Sequence, residues 1–97
     1  MLIQKEMHKD LVEVARLYYD EDRNQVYRTV KMFCMSDVVS IESPTEDDVD
    51  RFNTDIICII HHELEGNIVV NVDYDKMKKH WLESIGDTGI FIDYSKN

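Results

Sequence analysis

The sequence predicts a single α+β domain spanning residues 1–97, in which a mainly antiparallel sheet of about four strands carries two or three helices on one face. Three observations indicate this fold class. The chain has 97 residues, which is enough for one hydrophobic core and too few for two domains. Hydrophobic residues make up 43% of it and recur at helical and strand spacings. A single proline and three glycines leave no long flexible linker.

The first segment, from about Ile3 to Tyr19, is predicted to be a helix. Its apolar side chains recur at helical spacing, at Met7, Leu11, Val14, Ala15 and Tyr18. An alternative stays open, because residues 11–19 also alternate in the manner of a strand. In that case they would form the first arm of a hairpin whose loop is residues 20–24.

Two strands are predicted next. Residues 25–35 alternate, and one side of the strand carries Val26, Val30, Met32 and Cys34. Ser36 and Asp37 suit a turn, and residues 38–41 suit a short return strand. Ser43-Pro44 then interrupts the pattern.

A second helix, from about Glu46 to Glu65, has the clearest local signal. Thr45 and Asp48 form a variant of the capping box, and acidic residues crowd the first turns, where the helix dipole favours them. The β-branched run at residues 56–60 is the main objection, because it also suits a buried strand followed by a hairpin turn at residues 65–67.

Three elements complete the predicted order. Residues 67–74 alternate as a strand, Asp75 caps a short helix that ends near Ile85, and residues 90–94 form a last strand. The short helix is expected to face the core with Met77, Trp81 and Ile85.

The net charge of −9 is concentrated in the middle of the chain. Residues 32–75 contain eleven acidic residues and one basic residue, Arg51, whereas the flanks are nearly balanced. Direct binding to nucleic acid or to an anionic membrane is not expected, because both depend on Lys and Arg. The short basic cluster at residues 76–80 is interpreted as a solvated helix face. The charge favours a protein partner with a basic surface.

The expected location is the cytoplasm, or the host cytoplasm if a phage encodes the protein. The longest apolar run, residues 56–60, is far shorter than the roughly 18 residues that span a bilayer. The N-terminal residues become charged at once and lack the apolar core of a signal peptide. Cys34 and Cys58 lie among apolar residues and are expected to be buried free thiols.

Neither catalysis nor a cofactor is predicted. Three glycines cannot form the known nucleotide-binding loops. His61 and His62 would point about 100° apart on a helix, so no metal site is predicted. Asp73 and Asp75 are interpreted as a strand exit and a helix cap. A cysteine nucleophile paired with His80 is disfavoured, since apolar surroundings disfavour the thiolate.

The preferred functional hypothesis is a small inhibitor that neutralises a basic, nucleic-acid-handling protein. It would act as a phage anti-defence DNA mimic or as an immunity or antitoxin protein, with carboxylates in place of phosphates. The predicted partner-binding residues are Asp20, Glu21, Asp22, Glu42, Glu46, Asp47, Asp48, Asp50 and Asp55, with Tyr19 and Tyr27 as aromatic anchors. The alternative is an adaptor or chaperone-like dimeric subunit that binds through the Ile-rich segment or through an edge strand near residues 38–41. A homodimer is compatible with either hypothesis.

Overall fold

A computed structural model describes residues 11–84 of the chain. Within this range the elements are β1 Leu11–Asp20, β2 Gln25–Cys34, β3 Val38–Glu42, α1 Glu46–Phe52, β4 Cys58–His62, β5 Gly66–Val70 and α2 Tyr74–Ser84. A short 3-10 turn, Met35–Asp37, joins β2 to β3. The α+β class is therefore supported, with five strands in the described range rather than about four. Neither of the two α-helices in this range is long and apolar enough to cross a bilayer.

The five strands form one sheet in the order β2-β1-β5-β4-β3, and every neighbouring pair is antiparallel. The 3-10 turn therefore connects the two strands at opposite edges. The four-residue step from Cys34 to Val38 reaches at most about 14 Å, whereas the edges of a flat five-stranded sheet lie about 19 Å apart. The sheet must curl to bring these edges together, and it gains a concave and a convex face.

Contacts across the concave face agree with this curl. The Lys31 ammonium of β2 lies 2.5 Å from the Glu65 carboxylate in the turn between β4 and β5. The Phe33 ring meets the His62 ring edge-on, with centroids 5.9 Å apart. Both pairs join β2 to the β4–β5 hairpin, although β1 separates the two in the strand order.

The main core fills the concave face. It consists of Phe33, Met35, Val38, Cys58, Ile60, Ile68, Val70 and Met77. Met77 belongs to α2, and Trp81 packs partly buried against the same cluster, so both face inward as expected. Burying each large aliphatic side chain contributes about 1.5–3 kcal/mol, which makes this cluster the main source of stability.

A smaller cluster lies on the convex face, where Phe52 of α1 packs with Leu17 and Ile57 against Val69. Val69 belongs to this cluster and Val70 to the main core, and adjacent strand residues point to opposite faces. The two helices therefore cover opposite faces, and the expectation that they share one face is wrong. Because β5 is apolar on both sides, each side needs its own cover.

The predicted helix over residues 3–19 is wrong from Leu11 onward, and residues 3–10 lie outside the described range. Leu11–Asp20 is a strand that pairs with β2 at ten positions. The alternative hairpin is confirmed, with a turn at residues 21–24. Both periodicities fitted the sequence, and pairing with β2 selects the strand because it satisfies the backbone along its whole length.

The predicted helix over residues 46–65 begins where expected and ends early. Thr45 and Asp48 form the capping box: the Asp48 amide donates to the Thr45 hydroxyl over 3.2 Å, and the Thr45 amide donates to the Asp48 carboxylate over 2.9 Å. Asn53 then adopts a left-handed conformation with φ 55° and ends the helix. Residues 58–60 of the β-branched run begin β4, whose alternating residues fit the interior of the sheet, whereas Ile56 and Ile57 precede the strand.

The remaining elements agree with the sequence apart from their ends. β2 and β3 match their predicted ranges within one residue. The strand predicted at residues 67–74 is β5, which ends at Val70. Asp73 rather than Asp75 caps α2, because its carboxylate accepts hydrogen bonds from the Asp75 and Lys76 amides. Ile85 and the strand predicted at residues 90–94 lie outside the described residues.

Candidate functional site

Two acidic segments that are far apart in the sequence meet at one end of the molecule. The Phe52 ring of α1 packs edge-on against Tyr19 at the end of β1, with centroids 6.4 Å apart. The Arg51 guanidinium lies 5.8 Å from the centre of the same tyrosine ring. The Tyr19 hydroxyl donates to the Asn24 side chain, so the β1–β2 turn is tied to this contact. α1 therefore lies beside the turn.

We call this surface the acidic end. It comprises the predicted carboxylates of the β1–β2 turn, of α1 and of the residues that flank α1: Asp20, Glu21, Asp22, Glu42, Glu46, Asp47, Asp48, Asp50 and Asp55. Glu42 on β3 pairs with Ile59 on β4, which in turn pairs with Val69 on β5. Residues paired in this way share a sheet face, so Glu42 lies on the convex face, which α1 covers at Val69. Within these segments only Arg23 and Arg51 carry positive charge, so the surface is strongly negative.

Three of these carboxylates support the local structure. Asp48 completes the capping box of α1. Asp20 accepts hydrogen bonds from the Asp22 and Arg23 amides over 3.0 and 3.3 Å, which fixes the β1–β2 turn. Glu42 contacts His61. Their charge adds to the field of the acidic end, but one oxygen of each carboxylate is already engaged.

The other six carboxylates are exposed, and their side chains have no hydrogen bond or ion pair with any part of the chain between residues 11 and 84. They are Glu21, Asp22, Glu46, Asp47, Asp50 and Asp55. The backbone that carries most of them is fixed by the turn and by the helix cap. A partner could therefore engage them without first breaking a side-chain interaction with residues 11–84.

The two predicted aromatic anchors do not lie together. Tyr19 is half-buried between Phe52 and the turn, so it supports the acidic end more than it exposes a contact surface. Tyr27 is 40% exposed and pairs with Tyr18, whereas Tyr19 pairs with Val26. Because neighbouring strand residues alternate, Tyr27 points to the opposite sheet face from Tyr19. Tyr27 is therefore not part of the surface around α1.

His61 connects three strands beside the acidic end. One ring nitrogen contacts the Glu42 carboxylate on β3, and the other contacts the Asn67 side-chain oxygen on β5. Two acceptor oxygens suit a ring that carries both protons. The hydrogen bond with Glu42, followed by the one with Asn67, raises the pKa of His61 above its ordinary value of 6.5.

We expect His61 to make stability depend on pH. Because its pKa is raised in the folded state, its contribution is fully present below about pH 6.5 and is lost as the pH rises through the folded value. The contribution should stay below about 1 kcal/mol, since the ring lies near solvent. Urea unfolding of the wild type and of His61→Gln should differ more at acid pH than at alkaline pH. His80→Gln, a change on the exposed part of α2, is the control. If the difference in the free energy of unfolding between the wild type and His61→Gln grows as the pH rises, His61 is not the source of the pH dependence.

Metal binding and thiol chemistry gain no support from the described residues. His61 and His62 are adjacent on a strand and point to opposite faces, and residues 11–84 contain no group of three or more metal-ligating side chains. Cys34 is partly exposed and Cys58 is buried, and neither forms a disulfide. Burial raises the pKa of the Cys58 thiol to about 11, which makes it a poor nucleophile.

A groove of about 440 Å³ lies between β1 and α2. Its apolar lining includes Val12, Val14 and Met77, and Lys76, Lys79, His80, Glu13 and Glu83 also line it. The groove therefore carries both signs of charge and does not favour a ligand of either charge.

An exposed apolar surface on β2 was missed in the sequence. Val30 and Met32 are 74% and 53% exposed, and Val26 lies on the same side of the strand. The alternation of residues 25–35 indicated that these side chains share one side. It could not indicate that β2 would lie at an edge of the sheet, because that position depends on the pairing of distant strands.

The predicted contact in the Ile-rich segment is wrong for Ile57 and Ile60, which are buried.

No family model, curated protein or solved structure matches this chain. Its function must therefore be inferred from the acidic end and from the surface of the sheet.

Proposed function

We propose that this protein is a small non-enzymatic inhibitor that binds a basic, nucleic-acid-handling protein through its acidic end. The observation that carries this proposal is the packing of α1 beside the β1–β2 turn, which joins carboxylates from two segments into one surface. Carboxylates form strong charge-assisted hydrogen bonds with Arg and Lys, the residues that bind phosphate groups in such a partner.

The carboxylates of the acidic end have two different roles. Asp20, Glu42 and Asp48 stabilise the local structure of the surface. The six carboxylates that have no side-chain partner among residues 11–84 are available to a binding protein. Their common field would steer a basic protein toward this end and raise the association rate. Competition would then block the partner's nucleic-acid site, as expected of a phage anti-defence DNA mimic or of an immunity or antitoxin protein. The proposed place of action is the cytoplasm, and the lack of a disulfide between Cys34 and Cys58 is compatible with it.

The proposal is tested by charge reversal on α1. The double variant Asp47→Lys, Asp50→Lys changes two free carboxylates three residues apart and leaves the Asp48 cap intact. With a partner captured from the native host, we expect its association rate to fall roughly tenfold or more at low salt. The matched control is Glu63→Lys, Glu83→Lys, which makes the same change in charge on exposed residues outside the acidic end.

Salt supplies the second measurement. The wild-type association rate should fall as salt is added, because salt screens the field of exposed charges. Thermal unfolding of both double variants verifies that they remain folded. Equal rates for the wild type and the α1 variant, or an affinity that does not respond to salt, would refute the acidic end as the binding surface.

A second candidate function is an interaction subunit that binds through an apolar surface. The exposed Val30 and Met32 side chains on β2 favour it, rather than the predicted edge near residues 38–41. Binding of this kind should be insensitive to salt and to the α1 variant, and should be lost when Val30 becomes charged.

A further inference from the structure

β2 is a long edge strand whose outer side has no partner strand among residues 11–84. It pairs with β1 at ten successive positions without a bulge, and it contains no proline. Such an edge exposes a row of backbone N–H and C=O groups that proteins normally protect. The other edge strand, β3, is protected by its length of five residues and by an irregularity between Val38 and Ser40.

Charged side chains commonly protect an edge, and β2 carries two of them. Both are held by neighbouring residues. The Arg28 guanidinium donates to the Asn71 side chain over 2.9 Å, and the Lys31 ammonium lies 2.5 Å from Glu65. The charges that could repel an approaching strand are therefore directed back onto the protein.

Exposed apolar side chains accompany this edge, which has no partner strand in the described part of the chain. Val26, Val30 and Met32 share one side of β2, and Leu11 of β1 adds to it. This is the convex side of the sheet, where α1 covers only the end near Leu17. Arg28 lies between Val26 and Val30 on this side, whereas Val30, Met32 and Leu11 lie close together. A group of neighbouring exposed apolar side chains marks an interaction surface rather than ordinary surface.

We propose that β2 pairs antiparallel with β2 of a second copy of this chain, which joins two five-stranded sheets into one. A strand that pairs with itself in this way lies on a two-fold axis, so the same surface serves both copies. When the pairing is centred on Val30, Arg28 lies opposite Met32 and Lys31 lies opposite Thr29. No like charges then face each other across the interface.

The distribution of charge permits this dimer in spite of the net charge. In the register centred on Val30, Val26 lies opposite Cys34, so the two copies of Val26 are about 26 Å apart. The acidic β1–β2 turns lie beyond these positions. Salt screens charges over about 8 Å at physiological ionic strength, so the two acidic ends do not oppose the pairing.

The experiment is sedimentation equilibrium of the full chain over a wide range of concentration. We expect a mass of twice 11.5 kDa at high concentration. Val30→Lys should raise the dimer dissociation constant roughly tenfold or more, because two lysines would meet at the axis. The matched control is Val39→Lys on β3, which changes a valine that is 64% exposed at the other edge and should leave the dimer intact.

Hydrogen exchange of the β2 backbone amides completes the test. Dimerisation should slow the exchange of β2 amides at high concentration, and dilution should restore it. A monomer at every concentration, a dimer that survives Val30→Lys, or amides protected in a monomer would each overturn the proposal. The last result would mean that another part of the same chain covers the edge. The measurement needs no basic partner, so its failure would leave the proposed role of the acidic end untouched.

Discussion

Replacing Phe52 with alanine should lower the free energy of unfolding by about 3–5 kcal/mol, the range for deletion of a buried aromatic side chain. Phe52 is the buried residue of α1, where it packs with Leu17 and Ile57 and meets Tyr19 edge-on. α1 has only seven residues, too few to be stable in isolation. Its position therefore depends mainly on Phe52, the buried side chain of the helix.

The measurement is urea unfolding, with Phe52→Leu as the control because it keeps an apolar side chain and should retain most of the stability. Phe52→Ala should also slow association with a basic partner, although no charge changes, because α1 no longer holds its carboxylates beside the turn. A loss of stability below about 1 kcal/mol would show that α1 is held by other contacts.

Replacing His62 with alanine should lower the free energy of unfolding by about 3 kcal/mol, from lost hydrogen bonds and a cavity together. His62 is buried on the concave face, where its ring meets Phe33. Its Nδ1 atom accepts hydrogen bonds from the Leu64 and Glu65 amides, each over 3.2 Å. The side chain thus joins the core to the β4–β5 turn.

His62→Phe separates these two contributions. It keeps an aromatic ring in the core but removes the Nδ1 acceptor, so its free energy of unfolding should be about 2 kcal/mol below that of the wild type. Both variants are compared with the wild type by urea unfolding. If His62→Phe is as stable as the wild type, the hydrogen bonds to the turn contribute nothing measurable and packing alone explains the buried histidine.

Local chemistry predicted the start of α1 but not its end. The capping box at Thr45 and Asp48 acts within one turn, so it can be identified in the sequence. The spacing of residues 56–60 fitted both a helix and a strand. Pairing with β3 and β5 decides between them, and these strands are not adjacent signals in the sequence. Residues 11–19 presented the same ambiguity, and pairing with β2 resolved it.

The acidic end was predicted as a set of residues, but its geometry was not. Nothing local indicates that the β1–β2 turn would lie beside α1, because that contact requires Phe52 to reach Tyr19 across the fold. The separation of Tyr19 from Tyr27 could have been predicted, since alternation places Tyr27 on the other face once both strands are recognised. The exposed edge of β2 follows from the β1–β5 pairing and has no local signal.

The short link between β2 and β3 has a consequence for folding kinetics. The β1–β2 and β4–β5 hairpins can each form from residues close in sequence, whereas the contact of Arg16 with Val70 joins distant parts of the chain. Such a contact is slow to form, because the intervening chain must first lose entropy. Once β3 pairs with β4, the 3-10 turn tethers the end of β2 to the second hairpin and shortens the effective loop. Met35 is buried in that turn. We therefore expect a truncation of its side chain to raise the free-energy barrier to folding by about as much as it lowers the free energy of unfolding.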